Sequence, residues 1–433
     1  MDNASLARAS MGMSLGFHIV FAVLGVGVPL LLVVAEGISL WRRDATWMML
    51  ARRWSSAFGV LFAIGAVSGT ALSFELGLLW PGFMAFSGSV IGLPFSAEGF
   101  AFFLEAIFLG LYLYGWNRLR PFQHWLTGIP VAISGAASSV FVVMANAWMN
   151  TPSGFRLVDG RLTSVDPLTA ALNPSTPTET IHMLVSAYVV TGFVVAAVYA
   201  AGMLRGRSDR IHGIGLMLGM AMAAVAIVLA GITGDNSARF TYSAQPAKFA
   251  AMEGLYATVK GAPLHLGGIP SDSQHRVLYA IEIPYGLSFL ATFDPNAEIR
   301  GLDSFPADQR PNPILVHLSF DTMVGLGIGL GLLAMWFWLM VFRSRRVPKN
   351  RLLLWGLVAG GPAAVVTMEA GWFVTEFGRQ PWIVYGIIRT TAAATSAPGL
   401  GIVFVVFIAI YLALAVTLVR LLLLLARRNR ERP

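Results

Sequence analysis

Six side chains set inside otherwise apolar runs have the chemistry for metal binding or proton transfer: His18, Glu98, Glu105, His182, Met323 and Glu369. An ionisable group at the centre of a bilayer costs at least ~2.5 kcal/mol, so each calls for a ligand, a proton or a partner that offsets the cost. Two imidazoles, a thioether and a carboxylate are donors suited to iron. The chain has no cysteine, which excludes thiolate metal sites, iron–sulfur clusters and covalent c-type heme attachment. Any heme must therefore be held by His, Met or a carboxylate. Glu98 and Glu105 stand seven residues apart, which puts them on one helix face about 10.5 Å apart along the axis. A stepped carboxylate pair suits proton relay, because each can alternate between charged and neutral forms. The plainer readings are a hydrogen-bonded packing histidine and a methionine filling a core.

The elements that must carry these residues are membrane spans. Of 433 residues, 56% are hydrophobic and 12% charged, against about 25% charged in a soluble domain. Nine apolar runs of roughly 20 residues or more are expected, at about 14–38, 55–77, 95–115, 126–148, 178–203, 213–233, 313–341, 352–375 and 396–424. The fold class is an all-α polytopic membrane bundle, a single membrane domain over 1–433. A net charge of +8 does not signal nucleic acid, because 19 of the 30 basic residues lie in alternate short loops and the C-terminal tail, from Arg42 to Arg432. Such loops face the cytoplasm, which places the N-terminus outside and the C-terminus inside. In that orientation His18 and His182 lie about one turn into their spans and Met323 about 15 Å in. Glu369 lies just before an outer end, so all four candidate ligands fall in the outer half. No short cleavable leader is recognisable, so the first span is read as retained.

Two external segments interrupt the bundle. Thr176-Pro177-Thr178-Glu179 reads as a capping box starting the fifth span. The second segment, 235–313, is long and polar, which marks it as functional or disordered, and its stretch QPAKFAAMEGLYATVKG has helical spacing. The Gly325, Gly327 and Gly329 run beside Met323 is read as allowing close helix packing, or as room for a flat macrocycle. His124, His212, His265, His275 and His317 are read as ordinary surface residues, and Glu376, near the water boundary, has no assigned role.

The chain resembles subunit I of cytochrome bd-type quinol oxidases over nearly its whole length. The segment EAGWFVTEFGRQPW carries the likeness, supported by SLGFHIVF, AEGFAFFLEAIFLGLYLYGWNRL, ANAWMNTPSG, ETIHMLVSAY, QPAKFAAMEG and MVGLG. The short loop and the EGFAFFLE spacing are most similar to the cyanide-insensitive branch. The resemblance implies three hemes: a low-spin heme b held by His182 and Met323, and two high-spin groups served by His18 and Glu369, namely a high-spin heme b and a heme d or third heme b. It implies that Lys248 and Glu253 of the 235–313 loop bind quinol, that Asn146 lies at the end of the fourth span, and that Arg379 pairs with heme propionates. It also implies a subunit II, and admits small single-span subunits. Where many members have Arg two residues before the axial Met, this chain has Asp321, and a carboxylate there is expected to lower the potential.

The expected function is that of a terminal oxidase in the bacterial cell membrane, oxidising quinol at the outer face and reducing oxygen to water. Protons drawn from the cytoplasm through Glu105 and Glu98 generate a membrane potential, and Glu369 acts at the oxygen site. The alternatives are a proton-coupled transporter, whose carboxylates bind substrate or ions, and a degenerate heme protein without oxidase activity.

Overall fold

The computed structural model describes residues 2–431, and Arg432 of the basic tail lies outside them. The helices are α1 (Asn3–Arg42), α2 (Ala45–Leu79), α3 (Pro81–Gly115), α4 (Pro121–Asn150), α5 (Pro167–Ala171), α6 (Thr176–Leu204), α7 (Arg210–Ala244), α8 (Pro246–Met252), α9 (Gly286–Thr292), α10 (Pro313–Ser344), α11 (Arg351–Arg379), α12 (Thr390–Ala393) and α13 (Leu400–Glu431). Among the described residues, nine of them are long and apolar enough to cross a membrane. They coincide with the nine expected spans, and most run well past the apolar window. A hydropathy window measures bilayer thickness, whereas the backbone ladder continues until a cap or a proline stops it. Asp2, Asp44, Asp209, Asn312 and Asn350 supply side-chain caps to α1, α2, α7, α10 and α11. Proline opens α3, α4 and α10.

The short basic connections gather at one end of the bundle, here the basic end. The longer connections after α4, α7 and α11 gather at the other, the loop-rich end. Two groups of four helices form the body. In one, α1 packs on α2 and α4, and α3 on α4; in the other, α6 packs on α7 and α11, and α10 on α11. The groups meet where α1 crosses α6, and α13 lies outside them against α1 and α2. At the crossing, a Cβ on Gly27 would fall 2.1 Å from Thr191 Oγ1. Only glycine admits that approach, which lets the Thr191 hydroxyl donate to the Val23 carbonyl at 3.2 Å. One apolar core, including Leu31, Phe58, Phe193, Met220 and Phe337, runs through both groups.

Several details depart from the sequence reading. Helix α7 continues to Ala244, so the long connection begins near 245 rather than 235. Within it lie α8, α9 and short antiparallel hairpins pairing 264–266 with 281–283 and 269–271 with 276–278. Ser175, not Thr176, is the N-cap of α6, and the Glu179 carboxylate accepts from Asn150 at 2.9 Å instead of closing a capping box. A Cβ on Gly325, Gly327 or Gly329 would meet nothing within 4 Å among the described residues, so that run does not bring these helices of the chain closer together.

Candidate functional site

Each candidate iron ligand lies over a glycine of a neighbouring helix. A Cβ on Gly69 of α2 would stand 2.9 Å from His18 Cε1, one on Gly234 of α7 3.3 Å from His182 Cε1, and one on Gly371 of α11 2.9 Å from Met323 Sδ. Glu369 faces Gly16 of α1, with its Oε2 3.5 Å from the equivalent point. Helix α1 begins at Asn3, ahead of the apolar run, so His18 sits about four turns along the helix. His18 Nδ1 lies 3.0 Å from Ser68 Oγ, and His182 Nδ1 lies 2.9 Å from Thr233 Oγ1.

A cavity of about 2060 Å³ brings together His18, His182, Met323, Glu98, Glu105, Asn146, Lys248 and Arg379. Glu369 and Glu253 are not among its lining residues. Glu98 accepts a hydrogen bond from Ser138 at 3.2 Å. Glu105 is more deeply buried, and its Oε1 has no partner. Space for it is left by Gly135, where a Cβ would lie 3.2 Å from that oxygen and 3.1 Å from the Gly25 carbonyl. Pro29 offers no N–H to the Gly25 carbonyl, so that acceptor lacks its usual helical donor. Buried acidic oxygens without partners also include Glu369 Oε1 and both of Glu75.

At the loop-rich end the polar groups are tightly tied. Arg379, 1% exposed, donates to Glu376 at 2.6 Å and to Asn150 Oδ1 at 3.3 Å. Asn146 donates to the other Glu376 oxygen at 2.7 Å, and Asn150 also donates to Asn146 at 3.2 Å. Glu376 therefore has partners on two helices, contrary to its reading as an unassigned boundary residue. The turn beyond it contains a cis Gln380–Pro381 bond and leads into a strand from Trp382 to Val384. Arg379 Nε is buried without a partner, and the side chain borders the cavity.

Lys248 and Glu253 occupy different surroundings. Lys248 on α8 packs its stem where a Cβ on Gly378 would fall, with Glu179, Arg379 and Glu376 as its charged neighbours. Burial pushes its ammonium down to about 8, while Glu179 favours the charged form. Glu253, just past the end of α8, looks toward Asp321 of α10, and burial with that carboxylate nearby pushes it up to about 8. Asp321 Oδ2 faces His317 Nε2 at 3.3 Å, and His317 Nδ1 donates to the Met252 carbonyl at 2.7 Å.

His317 is thus buried, not a surface residue, and so is His124. His124 Nδ1 meets Glu36 Oε1 at 2.6 Å and Nε2 donates to the Tyr112 carbonyl at 2.8 Å. Tyr112 also donates to Glu36, at 2.7 Å. Glu36 and Glu75 fall at the edges of the apolar windows, where a carboxylate gives little signal, and Glu179 carried only the signal of a helix cap. All three are ionisable groups inside long apolar helices, as Glu98 is.

The family model described as cytochrome bd terminal oxidase subunit I matches residues 6–430. A putative cytochrome bd menaquinol oxidase subunit I of Bacillus subtilis is 37% identical over 436 residues, spanning 99% of this chain and 98% of the relative. Cytochrome bd-II ubiquinol oxidase subunit 1 of Escherichia coli is 28% identical, spanning 90% of each. Among solved structures, the bd oxidase from Geobacillus thermodenitrificans superposes with a TM-score of 0.94 at 40% identity, covering 100% of this chain and 99% of that one.

Proposed function

Because the chain belongs to the cytochrome bd terminal oxidase subunit I family, we propose that it is a multi-pass heme subunit of the bacterial cell membrane that oxidises quinol and reduces oxygen. The observation that supports this most directly is the cavity onto which His18, His182 and Met323 open together with Lys248, Glu98 and Glu105. The donor set fits heme: two imidazoles, a thioether seated over a glycine, and the unpartnered Glu369 oxygen. His182 and Met323 would hold a low-spin heme b, and His18 and Glu369 would serve a high-spin heme b and a heme d or third heme b. Bound there, heme supplies one-electron transfer and oxygen reduction. Arg379, with its unpaired Nε, would receive a propionate.

The chain's own residues bind the substrate and move its protons. The loop-rich end faces outward in this reading, and Lys248 on the cavity wall orients a quinol oxygen. Lys248 and Glu253, both near 8, can exchange protons close to neutral pH. Glu253 acts from the side of α10, apart from Lys248, and Glu179 is the carboxylate nearest in charge to that lysine. Protons consumed with oxygen enter from the basic, cytoplasmic end and pass Glu105 before Glu98. Subunit II completes the enzyme, and small single-span subunits are admitted beside it. The transporter alternative draws no support from the family.

The test is an absorption spectrum of the purified complex with and without dithionite, a pyridine hemochrome count, and oxygen uptake with a short-chain quinol. Heme bands lost in His182→Ala and quinol-dependent uptake are expected. A colourless wild-type protein would end this reading.

A further inference from the structure

The two histidines rest on the same dipeptide, a hydroxyl residue followed by glycine, carried by the next helix in the chain. For His18 it is Ser68-Gly69 of α2, and for His182 it is Thr233-Gly234 of α7. In each case the glycine makes room for the ring and the hydroxyl meets Nδ1. The direction of that hydrogen bond follows from where the hydroxyl proton goes. Ser68 Oγ donates to the Gly65 carbonyl at 3.0 Å, and Thr233 Oγ1 donates to the Leu229 carbonyl at 2.9 Å. A carbonyl only accepts, and a hydroxyl has one proton, so each oxygen turns a lone pair toward the imidazole. Nδ1 must then be the donor, and Nε2 keeps its lone pair.

The other tautomer would set two lone pairs against each other, or require the hydroxyl to leave its carbonyl. Ser68 is fully buried, so no exposed water competes for it. Both rings border the cavity, and neither Nε2 has a hydrogen-bond partner among the described residues.

We propose that Ser68 and Thr233 are positioning residues that fix His18 and His182 as Nδ1–H tautomers, so that each histidine presents Nε2 to heme iron. The inference rests on the reading of these histidines as heme ligands. A hydrogen bond from Nδ1–H makes the imidazole a stronger donor and favours the oxidised iron. Removing it weakens the ligand and raises the potential.

The experiment uses the full chain in its complex with subunit II. Thr233→Val keeps the shape and removes the acceptor. It should raise the midpoint potential of the low-spin heme and speed loss of that heme in detergent by about tenfold. Thr233→Ser should restore both. Ser68→Ala should loosen a high-spin heme by a similar factor and leave the low-spin potential where it was, with Ser68→Thr as its rescue. If Thr233→Val does not assemble, Thr233→Ala is read in the same way. Wild-type potential and heme retention in the Thr233 variants, with the low-spin heme lost in His182→Ala, would overturn this inference and leave the ligand reading standing. Retention of the low-spin heme in His182→Ala would overturn both.

Discussion

Arg379 and Glu376 lie one turn apart at the end of α11, joined at 2.6 Å with the guanidinium 1% exposed. The same carboxylate accepts from Asn146 of α4, so the pair also ties α11 to α4 at the cavity's edge. Breaking a buried ion pair from one side leaves an uncompensated charge, which costs about 3–5 kcal/mol. Glu376→Ala should therefore lower the thermal midpoint of the purified complex substantially. Glu376→Gln keeps the contact with Asn146 and should fall between that variant and wild type.

Gly371→Ala tests the seat of Met323. The added methyl would come within 2.9 Å of Sδ, closer than a Cβ and a sulfur can sit, so the thioether must move. The low-spin bands of reduced membranes should shift or fade, while far-ultraviolet circular dichroism stays near wild type. Unchanged bands would remove Met323 from the ligand set.

Glu105→Gln removes a titrating group from the cavity wall and keeps its shape. General acid–base groups contribute about 10²- to 10⁴-fold, and a relay step should sit near the lower end of that range. The rates of oxygen uptake and of charge transfer in proteoliposomes are both expected to drop about a hundredfold, with heme content unchanged. Full turnover together with full charge transfer would exclude Glu105 from the path.

Glu253 gives stability a pH dependence whose sign is fixed. Its folded value of about 8 lies above the ordinary 4.5, so between those limits the folded chain binds more protons than the unfolded one. Stability then falls as pH rises through that window, by at most roughly 1.4 kcal/mol per pH unit. Thermal melts of wild type and Glu253→Gln should diverge from about pH 5 to about pH 8, the wild type losing stability faster. Parallel melts would show that the carboxyl is not held neutral by the fold.

The spans were legible because the bilayer demands about 20 apolar residues from each, and basic loops marked which connections share an end. Helix limits were not legible, since caps such as Asp209 and continuations such as 235–244 lie outside any hydropathy signal. His18, His182, Met323, Glu98 and Glu105 stood out because polar or polarisable groups are rare in apolar runs. What they face did not stand out. His124 meets Glu36 and Arg379 meets Asn150 only through tertiary packing, across sequence separations of 88 and 229 residues. That Lys248 lines the cavity and Glu253 does not was likewise invisible, because the path of a short helix and its cap decides which side chain reaches the cavity.

The glycine beneath each candidate ligand has a consequence for how such a site can change. His18 with Gly69, His182 with Gly234 and Met323 with Gly371 are two-residue units divided between neighbouring helices. Enlarging the glycine displaces the donor, and replacing the donor with a bulkier one collides with the glycine's helix. Single substitutions at either member are therefore expected to fail in a mutational scan, with new ligand chemistry accessible only to libraries that vary both members together.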